Sequence, residues 1–103
     1  MKKIKIELQH FHGCPNSTAL IERVKEAMKD FENTIYTEVL VDTNEKAKEL
    51  KFRGSPTLII NGEDFENQPE PESPALSCRY YLKGLPKLEQ IKSRLQELYN
   101  DQE

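Results

Sequence analysis

The residues of this chain best suited to covalent chemistry surround one thiol. Cys14 stands in His12-Gly13-Cys14-Pro15-Asn16-Ser17, where an alternating pattern gives way to a helical one. A cysteine at a helix start has its sulfur near free backbone N–H groups and the positive end of the helix dipole, and both favour thiolate over thiol. Pro15 suits the first helical position, where its missing N–H costs nothing. The dipole is too weak to act alone: it contributes about 0.3 to 1 kcal/mol at an exposed site, less than one pKa unit. A reactive thiol therefore needs direct donors, and those at hand are the first-turn amides, the Ser17 hydroxyl, Asn16 and a protonated His12. His10, His12 and Cys14 also form His-x-His-x-Cys, a donor set for Zn or Cu. Alternate residues at a strand end are more often solvated or packing groups, and no metal site is assigned.

The second cysteine, Cys78, lies in Ser77-Cys78-Arg79-Tyr80-Tyr81. It has two readings: a second redox thiol, or a small hydrophobe packed in a folded-back segment. Arg79 is either an ordinary surface residue or a cation that steadies a thiolate or an anionic substrate. Two cysteines in a chain whose N-terminus reads as a strand, not a secretion signal, point to redox or metal chemistry and not to a disulfide framework. The expected compartment is the cytoplasm.

The elements that must position these residues follow from periodicity. Ile4, Ile6 and Leu8 alternate with Lys3, Lys5, Glu7 and Gln9, which gives a first strand with one apolar face. From Pro15 to about Phe31, Leu20, Ile21, Val24, Ala27, Met28 and Phe31 form one helical stripe. A strand is expected over Ile35 to Val41, then Asp42 as a cap with Glu45 three residues on, and a short helix to about Phe52. Thr57 to Ile60 is an apolar strand. Asn61-Gly62 signals a tight hairpin into a polar strand near Glu63 to Phe65. Leu88, Ile91, Leu95 and Leu98 mark a last helix after Pro86. Residues 66–85 have no clear period; the Pro/Glu-rich first half reads as solvated and Leu76 to Leu82 as ordered.

At 103 residues, one domain spans 1–103, with a modest core that buries roughly 60 to 65% of the unfolded surface. The net charge of −3 is spread along the chain, with Lys2, Lys3 and Lys5 the only basic cluster, so nucleic-acid binding is not expected. No apolar run reaches the roughly 18 residues that would span a bilayer.

One further motif is diagnostic. In Arg53-Gly54-Ser55-Pro56-Thr57 a proline opens a strand that should be buried, an arrangement few folds tolerate; a cis Ser55-Pro56 bond would account for it. Together, the Gly-Cys-Pro-Asn loop, the Gly-Ser-Pro-Thr loop and the late Ser-Cys-Arg-x-Tyr element resemble the thioredoxin-like superfamily, closest to its small thioredoxin- or glutaredoxin-like proteins. The resemblance covers nearly the whole chain. It implies an α/β, thioredoxin-like fold in the order β-α-β-α-β-β-α, with a mixed four-stranded sheet and a long insertion before the last helix. It also implies that Cys14 is the nucleophile and that Ser17 stands where a resolving cysteine would. Pro56 takes the place of the cis-proline, and Ser55 offers backbone groups to an extended substrate. Pro15, Asn16 and Arg79 join Ser55 and Pro56 as substrate-binding candidates. A hydroxyl cannot resolve a mixed disulfide, so the implied activity is monothiol exchange, often glutathione-linked, or resolution by a distant thiol, for which Cys78 is the candidate. The implied partner is a protein or small-molecule thiol or disulfide, with no cofactor, no nucleic acid and no membrane. The competing functions are a soft-metal-binding or transfer module built on Cys14 and Cys78, and a thioredoxin-fold adaptor without redox turnover.

A central strand covered on both faces should be apolar on both, whereas here one face carries Lys3, Lys5 and Glu7. Either the second helix covers that face thinly, or the lysine stems lie over it.

Overall fold

The computed structural model describes residues 3–101; Lys2, counted in the basic cluster, lies outside them. Strand β1 (Ile4–His10) is followed by α1 (Ser17–Met28), β2 (Thr34–Leu40), α2 (Asn44–Leu50), β3 (Thr57–Ile60), β4 (Glu63–Asp64) and α3 (Leu88–Asn100). The four strands form one mixed sheet in the order β2-β1-β3-β4. β1 runs parallel to β2 and antiparallel to β3, and β3 pairs antiparallel with β4. This is the thioredoxin-like α/β arrangement, with residues 66–85 inserted between β4 and α3.

The period of β1 decides which face carries the main core. Ile4, Ile6 and Leu8 join Leu58 and Ile60 of β3 against Leu20, Val24 and Ala27 of α1 and Ile91 and Leu95 of α3, all buried. The opposite face carries a smaller cluster of Val41, Ala47 and Phe52, with Phe11, Val39, Leu50 and Leu76 against it. The polar face of β1 is unevenly covered. Gln9 is buried at 4% exposure, while Lys3 and Lys5 remain exposed and Glu7 is intermediate. Gln9 Nε2 donates to Glu7 Oε2 at 2.6 Å, which satisfies part of this polar face within the strand itself.

Several boundaries differ from the sequence expectation. α1 begins at Ser17, not Pro15, because residues 14–17 first close a turn in which the Ser17 amide donates to the Cys14 carbonyl at 3.3 Å. It ends at Met28, and a tighter turn carries the chain on to a still-buried Phe31, whose amide reaches the Met28 carbonyl. The cap of α2 is Thr43, whose hydroxyl accepts from the Lys46 amide at 3.1 Å; Asp42 does not serve. At the hairpin, Asn61 (φ 51) and Gly62 (φ 83) are both left-handed, as a two-residue primed turn requires. Among the described residues no helix is long and apolar enough to cross a membrane.

Candidate functional site

Residues 12–17 bring the chain from the end of β1 to the start of α1, and residues 54–57 bring it into β3. β1 and β3 are paired neighbours, so the two loops emerge side by side. The Ser55–Pro56 peptide bond is cis. Ser55 is 1% exposed, and its hydroxyl lies 3.1 Å from that of Ser17 while accepting from the Phe11 amide at 3.0 Å. The Ser17 hydroxyl, expected to serve the thiol, is therefore engaged by Ser55.

Cys14 and Cys78 form a disulfide with their α carbons 5.7 Å apart, inside the range such a bond requires. The exposure of the two halves is unequal. Cys14 is 8% exposed and Cys78 is at the surface, as are Pro15, Asn16 and His12.

Cys78 reaches Cys14 because the second half of the insertion lies along the cis-proline loop. Ser55 and Cys78 form a parallel bridge: the Ser55 amide donates to the Ser77 carbonyl at 2.8 Å, and the Arg79 amide donates to the Ser55 carbonyl at 2.9 Å. The backbone groups of Ser55 that were expected to receive an extended substrate are thus filled by the protein's own Ser77-Cys78-Arg79. The segment lies along the loop that enters β3, with its cysteine joined to Cys14.

Arg79, which the sequence leaves open as a surface residue or a cation for a thiolate or an anionic substrate, is buried, and its guanidinium pairs with Asp64. Nη1 donates to Asp64 Oδ1 at 2.6 Å and Nη2 to Oδ2 at 3.1 Å, with the two side chains 3% and 2% exposed. Nη1 also reaches Thr57 Oγ1 at 3.3 Å, and the guanidinium lies over the Tyr81 ring, 4.7 Å from its centre. Such a forked pair is what arginine, not lysine, makes well. Burial by itself would raise the Asp64 carboxyl; the Arg79 hydrogen bond, the Gln68 amide, the guanidinium charge and the Glu66 amide outweigh it and hold the carboxyl below its ordinary value. Tyr81 is raised by burial, and its hydroxyl donates to the Pro56 carbonyl at 2.6 Å.

Gly54 completes the seat. Its φ is +104°, and a Cβ placed there would come within 2.8 Å of Arg79 Cβ and 2.9 Å of Arg79 Cα. Only a residue without a side chain allows the insertion to approach this closely.

The sequence reading missed Asp64, Tyr81 and the role of Gly54. One signal was present: Arg79 and Tyr81 alternate with Tyr80 and Leu82, a strand-like period. Its polarity is inverted, since Arg79 is buried and Tyr81 half-buried whereas Tyr80 and Leu82 are 80% and 83% exposed. Hydropathy therefore pointed the wrong face inward.

Among the described residues no group of three or more His, Cys, Asp or Glu side chains is arranged to hold a metal ion, and each sulfur is the other's partner. Against known proteins, the chain matches no family model, and no curated protein is significantly similar to it.

Proposed function

We propose that this protein is a thioredoxin- or glutaredoxin-like thiol–disulfide oxidoreductase, in which Cys14 is the nucleophile and Cys78 the resolving thiol. The observation that carries the reading is the Cys14–Cys78 disulfide beside the loop that enters β3, in a fold of the thioredoxin-like type. The Cys14 thiolate attacks one sulfur of a substrate disulfide and expels the other as a thiolate, which takes a proton from water. The Cys78 thiolate then attacks the Cys14 sulfur, forms the internal disulfide and releases the reduced substrate. Two equivalents of a low-molecular-weight thiol return the protein to its dithiol form. The substrate is a protein or small-molecule disulfide, and glutathione is a candidate for the reducing thiol, in a reducing compartment such as the cytoplasm. No observation favours the soft-metal or the adaptor reading.

The test is exchange with oxidised glutathione, followed by intact mass and peptide mapping. The reduced parent protein is expected to pass to the internal disulfide without a lasting adduct. Cys78→Ser should accumulate a Cys14–glutathione mixed disulfide. If that adduct is no more abundant than in the parent, Cys78 is not the resolving thiol. If neither protein exchanges, the oxidoreductase reading fails.

A further inference from the structure

The insertion is fastened to the sheet by contacts that do not pass through sulfur. On one side stand Ser55, Pro56 and Asp64; on the other, Ser77, Arg79 and Tyr81, all within three positions of Cys78. One fastening is the Asp64–Arg79 pair, in which Arg79 directly follows Cys78 in sequence and both side chains are shielded from solvent. A shielded, forked pair keeps an attraction that water would screen. By contrast, the Lys51–Glu70 pair, which also ties the insertion down, has side chains 60% and 53% exposed, and such pairs contribute little. None of these contacts passes through a sulfur atom, so reduction of the disulfide breaks none of them directly.

We infer that the Asp64–Arg79 pair is a latch that holds Cys78 within reach of Cys14 in the dithiol state, so that Asp64 and Arg79 are positioning residues for the resolving step. The inference rests on the oxidoreductase reading for its chemical meaning, though the latch itself is a property of the reduced fold. When Cys14 carries a mixed disulfide, the Cys78 thiolate already lies alongside. Its attack on the Cys14 sulfur forms one S–S bond and breaks another, and the leaving thiolate is the reduced substrate. Without the latch, Cys78 is held only by the backbone bridge at Ser55 and the Tyr81–Pro56 hydrogen bond, and its effective concentration falls accordingly.

Two measurements test this. In the first, the full-length parent and variants are equilibrated with graded mixtures of reduced and oxidised glutathione, and the trapped disulfide fraction gives the effective concentration of Cys78 toward Cys14. Asp64→Asn and Arg79→Met are expected to lower it about tenfold or more. Arg79→Lys, which keeps the charge but not the fork, should fall between them and the parent, and Tyr81→Phe should give a smaller drop. Lys51→Ala should leave it unchanged. In the second, amide hydrogen exchange is followed at Arg79 in protein reduced with a phosphine. That amide should stay protected in the parent and lose protection in Asp64→Asn, a result independent of any thiol exchange.

A folded Asp64→Asn protein with an effective concentration within about twofold of the parent overturns the latch, and so does an unprotected Arg79 amide in the reduced parent. If Asp64→Asn does not fold, Arg79→Lys and Tyr81→Phe carry the same comparison. A parent that does not exchange with glutathione but keeps the Arg79 amide protected refutes the oxidoreductase reading and leaves the latch standing.

Discussion

Because Cys14 is 8% exposed and Cys78 lies at the surface, an incoming reductant meets the two ends of their bond unequally. Thiol exchange depends on access to the sulfur attacked and on the stability of the thiolate expelled. Access favours Cys78, whereas the proposed resolving step, run in reverse, has glutathione attack Cys14 and expel the Cys78 thiolate. Under the proposed reading, brief exposure of the oxidised protein to labelled glutathione, with acid quenching and peptide mapping, should place the first adduct on Cys14. An adduct found first on Cys78 would overturn Cys14 as the sulfur attacked in the resolving step.

At the scale of elements, the close approach of the insertion to the loop before β3 makes Gly54 sensitive. Gly54→Ala introduces a Cβ within 2.8 Å of Arg79 Cβ at a φ of +104°, and overpacking of this kind costs about 2 kcal/mol. Urea unfolding of the oxidised protein should register that loss, whereas Gly62→Ala, with nothing within 4 Å of the added atom, should show only the cost of its positive φ. Asp64 adds a dependence on pH. Its unfolded value is near 3.8 and its folded value is lower, so its stabilising contribution is present above about 3.8 and is lost as pH falls through the folded value. Acid titration of the reduced protein, followed by tyrosine absorbance of the insertion, should show a transition in that range that Asp64→Asn removes. What the sequence made legible follows the same division. The seven elements and their order could be read from periodicity, because Ile4, Ile6 and Leu8 or Ile91 and Leu95 report a buried face directly. The turn at Asn61-Gly62 and the proline before Thr57 were legible because each demands a particular backbone. The clamp on the insertion was not. Asp64 and Arg79 lie 15 positions apart, neither belongs to a hydrophobic period, and the burial of a charged pair depends on both partners arriving together. Likewise, nothing local indicates that Ser17 would be taken up by the hydroxyl of Ser55.

For the molecule as a whole, the Cys14–Cys78 bond joins positions 64 apart and encloses α1, β2, α2, β3 and β4, leaving β1 and α3 outside the loop. A cross-link over that span removes unfolded-chain entropy on the order of 4 kcal/mol. Oxidised protein should therefore resist urea to a higher midpoint than reduced protein, and equal midpoints would show that the native state is no tighter with the bond than without it. The contacts that bring the two thiols together act on the same thermodynamic cycle. The thiol–disulfide equilibrium constant of the folded protein, divided by that of the urea-unfolded chain, must equal the folding constant of the oxidised form divided by that of the reduced form. Whatever energy the fold lends to the disulfide, the disulfide returns to the fold. The redox poise of the surroundings thereby becomes a setting of native-state lifetime: each increment of reducing potential that opens the bond also brings the chain closer to unfolding and to proteolytic turnover.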